Sequence, residues 1–274
     1  MPFADVPGAR LHWRADGNPD GPFLLMGNSL GTDQSLWDGV LPELALRFRV
    51  VRFDARGHGA SVLAAGPQAE DASIALLARD ALAVADAAGA RRFHFLGLSI
   101  GGMIGLWLGQ HAPERIDRLV LSNTAAWLPN AVWDERIEAV RSGGMAALVD
   151  ATMQRWFTPS FAANHGALLA QTRDVFLRVD PRGYIACSRA IRDMDLRPEL
   201  ARIVVPTLVL VGAADPATPP ALGREIAATI PGAQCVELQG AHIPHLEHPG
   251  AFTAAVTEFL GRPAAAPTPA RTAR

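Results

Sequence analysis

Short apolar bursts alternate along this chain with longer stretches in which apolar positions recur at helical spacing. Phe23-Leu24-Leu25-Met26 and Arg49-Val50-Val51-Arg52-Phe53 read as buried strands, as do Arg92-Phe93-His94-Phe95-Leu96 and Arg118-Leu119-Val120-Leu121-Ser122. Ser73 to Ala88 reads as a helix opened by a polar cap and closed near Gly89, and Gly101 to His111 as another that ends before Pro113. Apolar strands joined through helices are the signature of a mostly parallel sheet with crossover helices.

The rhythm changes from about Trp127 to Leu196, where helical patterns continue and no convincing strand interrupts them. It resumes after Pro206 with the strand Thr207-Leu208-Val209-Leu210-Val211, a helix from about Pro220 to Ile230, the strand Gln234-Cys235-Val236-Glu237-Leu238 and a helix from about Gly250 to Leu260. The expected organisation is an α/β core made of residues 1–126 and 197–260, interrupted by a helical cap at 127–196 placed as a lid would be. Residues 261–274 form a Pro/Ala-rich tail expected to be disordered.

Composition narrows the chemistry. All 25 basic residues are Arg, so no Lys is present for a Schiff base or for a Walker-type phosphate loop. The formal net charge is −2 with no block of like charge, which argues against a nucleic-acid or anionic membrane surface. Cys187 and Cys235 are far apart and match no redox or zinc spacing, so packing in a reducing compartment is expected. The first residues lack a basic stretch followed by an apolar run, and no segment offers about 18 uninterrupted apolar residues. The expected location is the cytoplasm. Nothing in these patterns speaks to subunit assembly.

The densest chemistry follows the strand at 92–96, where Gly97-Leu98-Ser99-Ile100-Gly101-Gly102 sits between a strand and a helix. That is the G-x-S-x-G nucleophile elbow in its required context. Gly97 and Gly101 remove Cβ atoms from a very sharp turn, and Ser99 is carried to a helix start, where backbone N–H groups favour an anion. A dinucleotide fingerprint fails because its second glycine position is occupied by Ser99. A serine hydroxyl needs a base, and the base needs an orienting carboxylate. In this fold the order is Ser, acid, His. Asp215 lies just past the strand at 207–211, and Ser122-Asn123-Thr124, the other usual place for the acid, has no carboxylate. Of the eight histidines, His242 alone follows the last strand directly. His242, His245 and His248 are spaced by threes and raise a metal site as a competitor, but Pro244 and Pro249 interrupt a regular helix and no acidic partner pattern accompanies them. No metal is therefore expected, and His245 and His248 read as surface or helix-start residues. Two amides are needed for the oxyanion: that of Ile100, after the nucleophile, and one from Gly27-Asn28-Ser29-Leu30-Gly31-Thr32, with Leu30 the best placed.

With these parts assembled, the chain resembles the bacterial 3-oxoadipate enol-lactonases of the α/β-hydrolase superfamily. The resemblance covers about residues 1–260 and rests first on Asn28-Ser29-Leu30-Gly31-Thr32 with Trp37-Asp38, where many hydrolases carry His-Gly in place of Asn28-Ser29. Arg56-Gly57-His58-Gly59 and the elbow fit but are widely shared; Leu121-Ser122-Asn123-Thr124-Ala125, Trp133, Arg155-Trp156-Phe157-Thr158, Asp195-Leu196-Arg197-Pro198-Glu199-Leu200 and Ala241-His242-Ile243 are more specific. It implies an α/β-hydrolase fold with a mostly parallel sheet of about eight strands and a helical cap. It assigns catalysis to Ser99, Asp215 and His242 and the oxyanion hole to Leu30 and Ile100, and makes Ser29 and Trp133 candidate substrate contacts, although Trp133 reads as readily as lid core.

It further implies a small lactone substrate, the five-membered enol-lactone with a carboxymethyl arm, opened to 3-oxoadipate in the beta-ketoadipate pathway of aromatic catabolism. Water is the second reactant and no cofactor is needed. The free carboxylate calls for a cap arginine, and Arg136, Arg155, Arg173, Arg189 and Arg192 are equal candidates in the sequence. The alternatives are a carboxylesterase or another lactone or carbon–carbon bond hydrolase of the same fold, and a non-catalytic receptor built on it.

Overall fold

In the computed structural model, residues 2–66 and 70–262 are described. The tail expected to be disordered lies, from residue 263 onward, outside them. The chain opens with an antiparallel hairpin, β1 (Phe3–Val6) and β2 (Ala9–Gly17). Then come β3 (Phe23–Gly27), the short helix α1 (Leu41–Ala45), β4 (Arg49–Phe53), the two-residue strand β5 (Val62–Leu63), α2 (Ile74–Ala87), β6 (Phe93–Leu98), α3 (Ile100–His111) and β7 (Ile116–Ser122). Five helices follow: α4 (Asn130–Gly143), α5 (Val149–Trp156), α6 (Pro159–Asn164), α7 (Gly166–Leu177) and α8 (Pro181–Arg192). The sheet resumes with β8 (Thr207–Gly212), α9 (Pro220–Thr229), β9 (Gln234–Leu238), α10 (Pro244–Glu247) and α11 (Pro249–Leu260).

The sheet runs in the order β1-β2-β4-β3-β6-β7-β8-β9, with β5 paired to β2 off this path. From β4 to β9 every pairing is parallel, and only the hairpin end and β5 are antiparallel. The eight strands on the path agree with the expected sheet, and β5 adds a ninth. The central strands are buried throughout, including every residue of β6 and of β8. A strand covered on both faces has no polar alternation, which is why these strands stood out in the sequence. β2 is different. It carries Arg10, Arg14 and Asp16, is half exposed, and gives a mixed pattern that the apolar bursts did not reveal.

α2 begins where the cap residue predicts, with the Ser73 hydroxyl accepting from the Leu76 amide. α3 packs on β6 and β7 and against α2, while α1 meets α11 and α9 lies along β8. Pro244 and Pro249 open α10 and α11 rather than interrupting one helix, as a proline at the first helical position can. No helix among the described residues is long and apolar enough to cross a membrane.

Candidate active site

Ser99 stands between β6 and α3 with φ 58° and ψ −117°, a conformation that costs a non-glycine residue about 1–3 kcal/mol. Its backbone is held on three sides. The Ser99 amide donates to Ser122 O (3.0 Å), and Ser99 O accepts from Thr124 Oγ1 (2.7 Å) and from the Met103 amide (3.0 Å). The two glycines are required by contact with backbone. A Cβ on Gly97 would lie 2.1 Å from Gly101 O, and one on Gly101 would lie 2.3 Å from Gly27 O.

Asp215 follows β8 and is buried. Its Oδ1 accepts from the amides of Ala217 (2.8 Å) and Thr218 (3.1 Å), and its Oδ2 accepts from Thr218 Oγ1 (2.6 Å), Asn123 Nδ2 (2.9 Å) and His242 Nδ1 (2.9 Å). Burial pushes the carboxyl upward, but the His242 charge and the hydrogen bonds from His242, Thr218 and Asn123 together outweigh it and hold Asp215 below the usual carboxylate value. An ionised carboxylate only accepts, so Nδ1 of His242 carries the proton and Nε2 is left as the acceptor. Ser99 and His242 line the same cavity of about 490 Å3.

In the sequence Asn123 stands where an acid is missing and within a motif of the family resemblance, with no role of its own. In the fold it is the donor that ties Asp215 to the His242 loop, because its Nδ2 also reaches Ala241 O (3.1 Å). It holds a positive φ of 45°, which Asn tolerates better than most residues. Glu247 was missed as well. Its carboxylate accepts from the Ala241 amide (2.7 Å) and from Thr158 Oγ1 (2.5 Å), joining the His242 loop to the start of α6. No local spacing links 158, 241 and 247, and only the folded chain brings them together.

The loop after β3 is tied down by side chains distant in sequence. Asn28 Nδ2 donates to Phe53 O (2.8 Å) and its Oδ1 accepts from Trp37 Nε1 (2.8 Å), which explains why Asn28 and Trp37 occur together. The Gly31 amide donates to His58 Nε2 (3.1 Å), while Nδ1 of His58 donates to Arg56 O (2.8 Å). Burial dominates the other influences on His58 and lowers its pKa, in keeping with this neutral tautomer. Among the described residues, the amides of Leu30 and Ile100 have no protein acceptor, in contrast to their neighbours Gly31 and Gly101. Ser29 and Leu30 line the cavity beside Ser99, and Ile100 begins α3 behind it.

Trp133, on α4, also lines the cavity and is largely buried. His245 departs from expectation. It is a fully buried residue, stacked on Trp37 at 4.5 Å with Nε2 donating to Leu36 O (3.0 Å). Burial pushes its pKa down to about 3, so it stays neutral. The short α10 turns it inward toward Trp37, a direction that sequence spacing did not contain. His248 is exposed and stands at the start of α11, as expected.

Of the five arginines that the sequence offers for a substrate carboxylate, Arg136 and Arg155 line the cavity. The others are engaged elsewhere: Arg173 with Asp150, Arg189 with Glu70 and Asp71, and Arg192 with Asp134 and Asp193. The rest of the wall is mostly apolar, including Met103, Leu128, Val132, Trp156 and Leu222.

Residues 17–249 match the family model described as the alpha/beta hydrolase fold. A curated relative, 3-oxoadipate enol-lactonase 2 of Acinetobacter baylyi, is 34% identical over 253 residues, covering 92% of this chain and 93% of that protein. Among solved structures, the enol-lactonase from Burkholderia xenovorans LB400 is 42% identical with a TM-score of 0.91, covering 95% of this chain and 100% of that one. A hydrolase from Pseudomonas aeruginosa PA01 is 45% identical with a TM-score of 0.90, over 95% of this chain and 98% of that one. On these matches the chain belongs to the alpha/beta hydrolase fold family, similar over nearly its whole length to 3-oxoadipate enol-lactonases.

Proposed function

We propose that this hydrolase opens an enol-lactone of the 3-oxoadipate type by way of an acyl-enzyme on Ser99. The observation that carries the reading is the buried His242–Asp215 pair, 2.9 Å apart, beside a serine held at φ 58° on the wall of the same cavity. His242 Nε2 takes the hydroxyl proton as Ser99 Oγ attacks the ring carbonyl. Asp215 keeps the imidazole in the tautomer that can accept and stabilises the imidazolium that forms. The Leu30 and Ile100 amides hold the oxyanion, for which loss of a single donor typically lowers turnover by about two to three powers of ten.

Collapse of the tetrahedral intermediate breaks the ring C–O bond and expels an enolate. This leaving group is more stable than an alkoxide and needs less proton assistance; it takes up the proton held by His242, directly or through water, to become the ketone, and His242 is left neutral. Water activated by His242 then cleaves the acyl-enzyme and restores Ser99. Residues 127–196 act in this scheme as a cap that shields the acyl-enzyme from bulk water, with Ser29 and Trp133 in contact with the ring.

Loss of the enol-lactone, followed with purified protein in chelator against a blank for spontaneous opening, tests the proposal. Ser99→Ala is expected to abolish turnover with the fold intact. Residual activity above about a thousandth of wild type removes Ser99 from the nucleophile role. The mostly apolar wall favours simple acyl esters as the second reading. Much faster release of p-nitrophenolate from simple esters than opening of the lactone would select it. Single-turnover behaviour on every substrate would instead favour a receptor.

A further inference from the structure

Apart from the turn of α10, the backbone from Ala241 to Ile243 is tied at three points, and two of them lead into the helices between β7 and β8. Ala241 O, just before His242, accepts from Asn123 Nδ2 (3.1 Å), which stands at the end of β7. The Ala241 amide donates to Glu247 Oε1 (2.7 Å), and the Ile243 amide, just after His242, donates to Trp156 O (3.3 Å) at the end of α5. Glu247 carries its path onward. Its Oε2 accepts from Thr158 Oγ1 (2.5 Å) and from the Thr158 amide (3.3 Å), at the residue that caps α6. The same hydroxyl oxygen accepts from the Phe161 amide (3.3 Å), so Thr158 serves the helix and the carboxylate at once. The short α10 makes this possible by turning the chain back, so that a residue after His242 meets the amide before it. Among the described residues no cation is paired with Glu247; its partners are backbone amides and one hydroxyl. An ionised acceptor makes such bonds about twice as strong as a neutral one does. Neither Glu247 nor Thr158 lines the cavity, although Trp156 does.

We infer that Glu247 is a positioning residue for His242, and that through Thr158 it makes the place of the imidazole depend on the seating of the α5–α6 junction. This rests on the hydrolase reading above, in which His242 is the base. Asp215 and Asn123 hold Nδ1 of His242 and the Ala241 carbonyl. They do not hold the amides of Ala241 and Ile243, and a shift of either swings Nε2 relative to the Ser99 hydroxyl. Displacing a reacting group by about 1 Å lowers a rate by about 10^2. A carboxylate that touches neither the substrate cavity nor His242 itself thus acts on the reaction through the backbone beside the imidazole, and a residue 84 positions earlier in the chain shares in the effect.

The test measures kcat and KM on the enol-lactone and on p-nitrophenyl acetate, with kcat taken per folded molecule from a melting curve at the assay temperature. Glu247→Ala is expected to lower kcat by about 10- to 100-fold with KM within about twofold, the pattern of a misplaced base. Glu247→Gln keeps an acceptor for the Ala241 amide and gains an NH2 that can donate to Thr158 Oγ1, so it should keep at least about a third of the wild-type kcat. Thr158→Val removes the hydroxyl and should lower kcat by about 3- to 10-fold, while Thr158→Ser should restore it. Glu247→Ala and Thr158→Val together should be no slower than Glu247→Ala alone, because both act through one link. A contact that only holds the fold together would lower Tm and leave kcat per folded molecule unchanged. A wild-type kcat in Glu247→Ala overturns the inference, as does a wild-type kcat in Thr158→Val or a Thr158→Ser protein as slow as Thr158→Val; the Thr158 pair decides it should Glu247→Ala fail to fold. In each of these cases turnover that is lost in Ser99→Ala leaves the hydrolase reading standing. Turnover that persists in Ser99→Ala overturns the hydrolase reading and the inference with it.

Discussion

Asp215→Asn removes one charge and almost no volume, and its consequence can be worked out from the contacts of one side chain. Oδ1 faces two backbone donors, the amides of Ala217 at 2.8 Å and Thr218 at 3.1 Å. In Asn the carbonyl oxygen must stay there, because turning the amide round would leave both buried N–H groups facing an NH2, at about 1–3 kcal/mol each. The new NH2 then occupies the Oδ2 position, 2.9 Å from His242 Nδ1 and 2.9 Å from Asn123 Nδ2. Asn123 cannot turn its amide cheaply to accept, since its Nδ2 also donates to Ala241 O and its Oδ1 accepts from Ser122 Oγ. His242 must therefore accept at Nδ1 and carry its proton on Nε2, the nitrogen that receives the Ser99 proton in the proposed mechanism. In a serine protease the corresponding wrong tautomer lowers turnover by about 10^4, equivalent to about 5.5 kcal/mol in the barrier. Initial rates on the enol-lactone or on a p-nitrophenyl ester measure this, with a melting curve to show that the variant folds. A well-folded Asp215→Asn protein that loses less than about tenfold would falsify the tautomer argument.

Other substitutions probe the supports of the site. Asn123→Gly suits a φ of 45° and removes one donor from Asp215. Because the native carboxyl is held below its ordinary value, its stabilising contribution is complete above about pH 3.9 and is lost as the pH falls from there through the native pKa. With one donor gone the native pKa rises, so the urea midpoint of Asn123→Gly should fall less between pH 6 and pH 3 than that of wild type, and an equal fall would contradict the role given to Asn123. Gly101→Ala puts a Cβ 2.3 Å from Gly27 O and 2.6 Å from Gly27 C, where backbone cannot yield as a side chain can. The expected overpacking penalty is about 1–3 kcal/mol, seen as a lower Tm, together with a rate loss of about 10^2 from the displaced elbow. Unchanged melting and turnover would show that the elbow tolerates a wider separation from β3.

What could be read from the sequence and what could not divide along a physical line. The strands at 23–26, 49–53, 92–96, 118–122 and 207–211 were legible because each is largely buried and clusters apolar residues, although Arg52 and His94 lie inside two of them. The hairpin of β1 and β2 was not, because one of its surfaces meets water and its side chains mix charge with apolar groups. The elbow was legible because its requirements are local: Gly97 and Gly101 touch backbone within a few residues of Ser99 or on the adjacent strand.

Local chemistry in the sequence therefore determined the fold class, the strand–turn–helix around Ser99 and the order of Ser99, Asp215 and His242 along the chain. Tertiary structure alone decided that Asn123 completes the shell of Asp215, that His58 ties down the loop of Leu30, that His245 is buried against Trp37, and which two of Arg136, Arg155, Arg173, Arg189 and Arg192 line the cavity. Each of these depends on contacts between segments far apart in the chain. A hydrogen-bond partner or a counter-ion is selected by position in space, and the pattern of residue types along one segment carries no record of what another segment will bring beside it.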